Sequence, residues 1–246
     1  MPLQSVFQLS TLNAVMLGEF EPAMTVAQLK LKGDLGIGTF TGLGGELILL
    51  DGSAWNGTHT GKAIPVPDET GTPFACAVRF APERAAKLGA FASFAQLRAA
   101  LDGLPEVREA RNRITALHLR AAKVRAVFRS FAPALRPWKP MKETLFMQKV
   151  TEMPLELADV VGFRFPAHLE GVNMPGWHLH VLSAPDAEGR RWGGHLLDLA
   201  APAGAEARLM TAQGLHIAFP TGDAGRLFDA LPLESDLREV TTAAEG

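Results

Sequence analysis

Two histidines separated by one residue in an apolar stretch, Trp177-His-Leu-His-Val181, are the residues of this 246-residue chain whose type and spacing first point to chemistry. In an extended strand, side chains two apart project to the same face. His178 and His180 would therefore stand together while Trp177, Leu179 and Val181 face the other way. The segment 183–191 contains Pro185, Asp186 and Gly189 and can reverse the chain. A returning strand through Gly193-Gly-His195 would then bring a third imidazole beside the pair. Three imidazoles converging from adjacent strands, with a fourth direction open, is a common build for a catalytic zinc site. The two glycines before His195 would let a neighbouring backbone approach where a Cβ would obstruct it. Spacing alone names neither the metal, since imidazole also suits iron, copper and nickel, nor the reaction. The other histidines, His59, His118, His168 and His216, stand alone and read as structural.

Such a site has to be carried by strands, and the pattern of the chain supplies them. Residues 10–17 and 25–31 each open on a hydroxyl residue able to cap a helix. Residues 36–41 and 46–51 read as paired strands joined by the Gly-rich turn 42–45. Another strand is expected at 73–80, and Ser93-x-x-Gln96 resembles a capping box opening a helix that ends near Gly103. Residues 114–120 and 124–131 read as a hairpin. A Pro-punctuated connection, 133–140, is the best boundary in the chain. Beyond a short helical piece at 141–148 come strands at 160–165, 177–182, 192–199, 208–211 and 216–219, then a helix at 223–231. Strand runs with a few helices and no steady βαβ rhythm predict an α+β fold with mixed or antiparallel sheets. Two packed β-rich subdomains are expected, 1–135 and 136–246, with the metal site on strands of the second.

Composition narrows the partners. With 24 Lys and Arg against 26 Asp and Glu, the chain offers no basic field for nucleic acid and no polybasic patch for a membrane surface. A single cysteine, Cys76, in the apolar run 73–78 excludes an intrachain disulfide and reads as a buried, unreactive thiol. The start MPLQSVFQLS lacks the pattern of a secretory leader, and no apolar stretch approaches the ~20 residues a membrane span needs. A cytoplasmic protein is expected.

The run Val161-Gly-Phe-Arg-Phe-Pro-Ala-His-Leu-Glu-Gly-Val-Asn-Met-Pro-Gly-Trp-His-Leu-His180, followed by Gly193-Gly-His-Leu-Leu-Asp198, resembles the central signature of the bacterial α-acetolactate decarboxylases. That signature reads approximately VGFRTPxYMxGINVPGYHxHF, then GGHxLD. Upstream, Gly33-Asp-Leu-Gly-Ile-Gly-Thr-Phe40, Gly45-Glu-Leu47 and Gly71-Thr-Pro-Phe-Ala75 are similar to the family's GDFGLGTF, DGEL and KTPFA segments. Ala244-Glu-Gly246 lies where the family ends in a Val-Glu-Asn-like tail. The chain departs from the pattern at Trp177, where the family has Tyr, at Val181 for Phe and at Gly44 for Asp, and the stretch 129–140 matches poorly.

The resemblance implies zinc-dependent decarboxylation of 2-acetolactate to acetoin and carbon dioxide through a metal-stabilised enediolate, in a homodimer. His178, His180 and His195 would bind the zinc ion. Glu46 and Glu245 would be carboxylates reaching the active site, and Arg164 would lie beside the substrate carboxylate or take part in proton transfer. Thr39 would add a polar contact. Taken alone, Glu46 reads rather as a solvated carboxylate at a strand edge; Arg164, in an apolar strand where an arginine is almost never buried unpaired, points more strongly to a role, with Asp159 or Glu170 as alternative structural partners. Glu245 sits at a terminus, where order is least expected.

Two other functions share the histidine pattern. A cupin-like oxygenase or isomerase also opens on His-x-His but usually places a Glu three or four residues beyond, where this chain has Ser183 and Ala184. A non-catalytic binder of small hydroxy-acids would keep the metal site and lose a proton-handling group.

Overall fold

The computed structural model describes residues 4–232. In chain order its elements are β1 (Ser5–Leu9), α1 (Leu12–Met16), β2 (Met24–Thr25), α2 (Val26–Lys30), β3 (Leu35–Thr39), β4 (Glu46–Leu50), β5 (Ser53–Gly57), β6 (Lys62–Pro65), β7 (Gly71–Thr72), β8 (Ala75–Val78) and β9 (Arg84–Leu88). There follow α3 (Phe94–Asp102), α4 (Pro105–Glu109), β10 (Thr115–Phe131), β11 (Gln148–Phe165), β12 (Gly176–Ser183), β13 (Arg191–Ala200), β14 (Ala205–Thr211), β15 (Gly214–Ala218) and α5 (Gly222–Asp229). The α+β class expected from the sequence holds.

Thirteen of these strands form one hydrogen-bonded succession, β15-β1-β8-β3-β4-β5-β6-β13-β12-β11-β10-β14-β9. The pairing of β1 with β15 is parallel, and the other strand pairs described are antiparallel. β13 also pairs with β10, so β10 to β13 close into a ring. A ring removes open edges and holds each inward side chain against its neighbours. The histidines lie on this ring.

Local chemistry explains the helix starts. Thr11 and Ser93 each cap a helix by accepting from the backbone three residues on, and Thr25 with Gln28 makes a full reciprocal capping box. The Gln96 side chain instead accepts from Ala92 N, so only half of the box expected at Ser93 forms. The piece expected to be helical at 141–148 is two short 3-10 turns, Met141–Glu143 and Leu145–Met147.

The hairpin expected within 114–131 is a single strand. β10 runs through as seventeen residues, paired from Thr115↔Arg164 to Phe131↔Gln148 with β11. Lys123 sits at φ 51°, yet the register is the same on both sides of it, Ala122↔Leu157 and Val124↔Leu155, so the strand runs on without turning back. The boundary expected at 135/136 therefore falls between two paired strands of one sheet, and β15 returns to pair with β1. One buried apolar cluster gathers Val6, Ile37, Phe131, Phe163 and Met210 from both sides of that boundary. A second, with Leu97, Leu101, Leu117, Val160 and Leu199, packs α3 against the ring. Among the described residues no helix is long and apolar enough to cross a membrane.

Candidate metal centre

Strand register places each histidine. His178 and His180 lie two apart on β12 and share a face, and His195 on β13 is the direct register partner of His180. All three are buried. Their ring centroids stand 5.1 to 5.5 Å apart, and one nitrogen from each lies within 4.8 Å of the others. The close approach expected of the glycine pair is present. A Cβ on Gly193 would lie 2.4 Å from Val181 O, and one on Gly194 would lie 2.5 Å from Arg129 O. Neither neighbouring strand leaves room for a side chain there.

The rings are oriented from behind. His180 Nδ1 lies 2.8 Å from the Leu47 carbonyl on β4. A carbonyl can only accept, so the proton is on Nδ1 and the lone pair on Nε2. That Nε2 is buried and has no hydrogen-bond partner; Glu46 Oε2 stands 3.6 Å away. An unmet buried polar atom costs about 1–3 kcal/mol, and a metal ion at the focus of the three rings would meet it. Burial, aided by the Arg129 charge, pushes His178 down to about 3. Burial also holds His180 well below the usual imidazole range, with His178 and Arg129 adding to it against the opposing Leu47 bond. Neutral imidazoles are the form that ligates a metal. The donor set fits a tetrahedral three-histidine site with one position open.

Polar groups converge beside the rings. Glu46 opens β4 opposite Thr39 on β3, and Arg129 Nη1 lies 3.3 Å from Glu46 Oε1. Arg129 is only 2% exposed; its guanidinium also lies over the Phe131 ring, 5.2 Å from the centroid. The Thr39 hydroxyl donates to Gly45 O at 2.8 Å, steadying the turn that delivers Glu46. Thr39, Glu46, Arg129, His178 and His195 line one cavity with Leu12, Val15, Leu43, Phe74 and Met141. A wider groove of about 830 Å³ opens near Phe91, Val124 and Pro202, but no histidine lines it. Convergent chemistry, not size, locates the site.

Arg164 is not part of it. Its register partner is Trp177, on the face of β12 opposite the histidines, whereas Phe163 is the residue paired with His178. The Arg164 side chain bonds Asp102 Oδ1 at 3.2 Å and Arg111 O at 3.0 Å, and Trp177 Nε1 donates to the same Asp102 oxygen. It anchors the end of α3. The arginine beside the histidines is Arg129, which no local sequence signal marks: it is the β10 residue directly opposite His195. Glu245 lies outside the described residues.

Comparison with known proteins agrees with the histidine pattern. The model of the alpha-acetolactate decarboxylase family matches residues 6–230. An alpha-acetolactate decarboxylase of Methanosarcina mazei is 34% identical over 96% of this chain and 79% of that protein. One of Brevibacillus brevis is 33% identical over 80% of this chain and 67% of its own length. The crystal structure of the alpha-acetolactate decarboxylase of Bacillus subtilis strain 168 superposes with a TM-score of 0.88 at 25% identity, covering 98% of this chain and 99% of that one.

Proposed function

The chain belongs to the alpha-acetolactate decarboxylase family of carboxy-lyases, and on that premise we propose that it is a zinc enzyme converting 2-acetolactate to acetoin and carbon dioxide. The observation that carries the proposal is the buried, unbonded Nε2 of His180 at the focus of three imidazoles, beside the Arg129–Glu46 pair.

2-Acetolactate bears a carboxylate, a hydroxyl and a ketone on adjoining carbons. Breaking the bond to the carboxylate releases carbon dioxide and leaves an electron pair that spreads into the ketone as an enediolate. One proton taken up at the carbon that lost the carboxylate completes acetoin. Zinc held by His178, His180 and His195 would supply a Lewis acid for the negative charge developing on the substrate oxygens. Arg129 takes the role expected for Arg164: its buried cation faces those oxygens where a fixed charge acts more strongly than in water. Glu46, held by Arg129 at 3.3 Å, is the group placed to hand over the proton. Thr39 holds Glu46 in place through Gly45 O. Leu12, Val15, Leu43, Phe74 and Met141 give the same cavity an apolar lining that suits the two methyl groups. Glu245 enters the proposal as a second carboxylate on the strength of the tail resemblance alone. A homodimer and a cytoplasmic location belong to the same proposal.

Purified protein supplied with zinc and racemic 2-acetolactate is expected to release acetoin and carbon dioxide in equal amounts without taking up oxygen. Bound iron with oxygen uptake would mark a cupin-like oxygenase instead, and substrate binding without turnover would mark a hydroxy-acid binder. Sedimentation of the same preparation is expected to give the mass of two chains; a single-chain mass contradicts the dimer.

A further inference from the structure

His178 and His180 are held in different ways. Behind His180 is a main-chain carbonyl, which can only accept. Behind His178, at 3.1 Å from its Nδ1, is the side-chain amide of Asn173, whose two ends have the same shape and opposite hydrogen-bonding character. Its neighbours decide which end faces the ring. The Met174 N–H can only donate, and it lies 2.8 Å from Asn173 Oδ1. Asn173 Nδ2 faces Gln8 Oε1 at 3.0 Å and Cys76 Sγ at 3.1 Å. Gln8 is fixed in turn, because its Nε2 donates to the carbonyls of Ser10 at 2.9 Å and Val172 at 2.8 Å. The Cys76 thiol donates to the same Gln8 oxygen at 3.1 Å.

Asn173, Gln8 and Cys76 are each 0% exposed. Gln8 and Cys76 are direct register partners on β1 and β8, and Asn173 lies in the turn that leads into β12. Flipping either amide would set donor against donor and acceptor against acceptor in a buried site. The orientations therefore run in one direction, from two main-chain carbonyls through Gln8 and Asn173 to the ring. An oxygen at Asn173 Oδ1 requires a proton on His178 Nδ1 and leaves the lone pair on Nε2.

We propose that Asn173, locked by Gln8, is a positioning residue that sets the tautomer of His178 and aims its Nε2 at the histidine cluster. The proposal rests on the metal reading of that cluster. Groups behind a ligating histidine typically change metal affinity about 10- to 100-fold when removed.

Two measurements on the whole protein test it. In metal-free protein carrying ¹⁵N-labelled histidine, long-range ¹H–¹⁵N correlation is expected to place the His178 proton on Nδ1. Wild-type protein with the proton on Nε2 overturns the proposal, whatever the variants do. Zinc affinity, read by competition with a chromophoric chelator, is expected to fall about 10- to 100-fold in Asn173→Leu and by less in Gln8→Met. A merely structural role would lower the melting temperature of the metal-free variants while leaving the tautomer and the zinc affinity of folded protein unchanged, and that result also overturns the proposal. Failure of the metal reading looks different: wild-type protein would then take up no zinc at all.

Discussion

Glu46 lies close to a metal-ligand histidine without being one of the three imidazoles, so neutralising it separates proton handling from metal binding. Glu46→Gln is expected to retain zinc while kcat falls about 10²- to 10⁴-fold, the usual weight of a positioned acid or base; unchanged kcat would exclude Glu46 from proton transfer. Arg164→Ala is expected to leave kcat and zinc content at wild-type levels and to lower the melting temperature slightly through the lost Asp102 contact. Acidity acts through the ligands. His178 is held at about 3 in the fold against an ordinary 6.5. Between those values the unfolded chain binds a proton that the folded chain does not, so lowering the pH destabilises the metal-free fold. His180 shifts in the same direction. Glu19, raised to about 7 chiefly by burial, opposes this within the same window, because its contribution is lost as the pH rises. In metal-free Glu19→Gln the melting temperature is therefore expected to drop from about pH 7 to pH 5.5, and a flat profile would contradict the burial argument. At this scale the sequence brought out the histidine cluster, because residue type, parity and spacing coincide in Trp-His-Leu-His. It did not bring out Arg129. Arg164 stands in the matching motif, but strand parity turns it to the other face, and Arg129 is identified only by its distant strand partner His195.

The elements that bring His195 to the pair depend on two missing side chains. Gly194→Ala would set a Cβ 2.5 Å from Arg129 O, forcing β13 away from β10 and carrying both His195 and Arg129 out of place. The expected result is a loss of about 1–3 kcal/mol of stability together with weakened zinc binding. Gly89→Ala meets nothing within 4 Å and serves as the control; equal effects from the two would refute the close-approach argument. Helix starts were legible because capping is local, as Thr25 with Gln28 shows. β10 was not. The charged pair Arg120 and Lys123 interrupts the apolar pattern as a turn would, yet the chain continues because β11, beyond the Pro-punctuated connection, pairs with it in one register on both sides of Lys123. That partner is long-range information, absent from any local window.

At the scale of the whole molecule the site joins strands that lie far apart along the chain. The N-terminal strand β4 contributes Glu46 and the Leu47 carbonyl, while β12 and β13 contribute the imidazoles. The sequence put the histidine cluster on the later strands but could not show that a carbonyl from β4 orients one of its rings, since carbonyls carry no sequence signature. A ligand that binds only the assembled site stabilises the entire fold in proportion to its affinity, so metal content, stability and turnover should move together. The most direct test is to titrate metal-free protein with zinc while measuring bound metal and acetoin formation from 2-acetolactate. The account predicts that activity rises linearly to a plateau at one zinc per chain, and that His180→Ala neither binds the ion nor turns over. Full decarboxylation by the metal-free protein, or by His180→Ala, would contradict it.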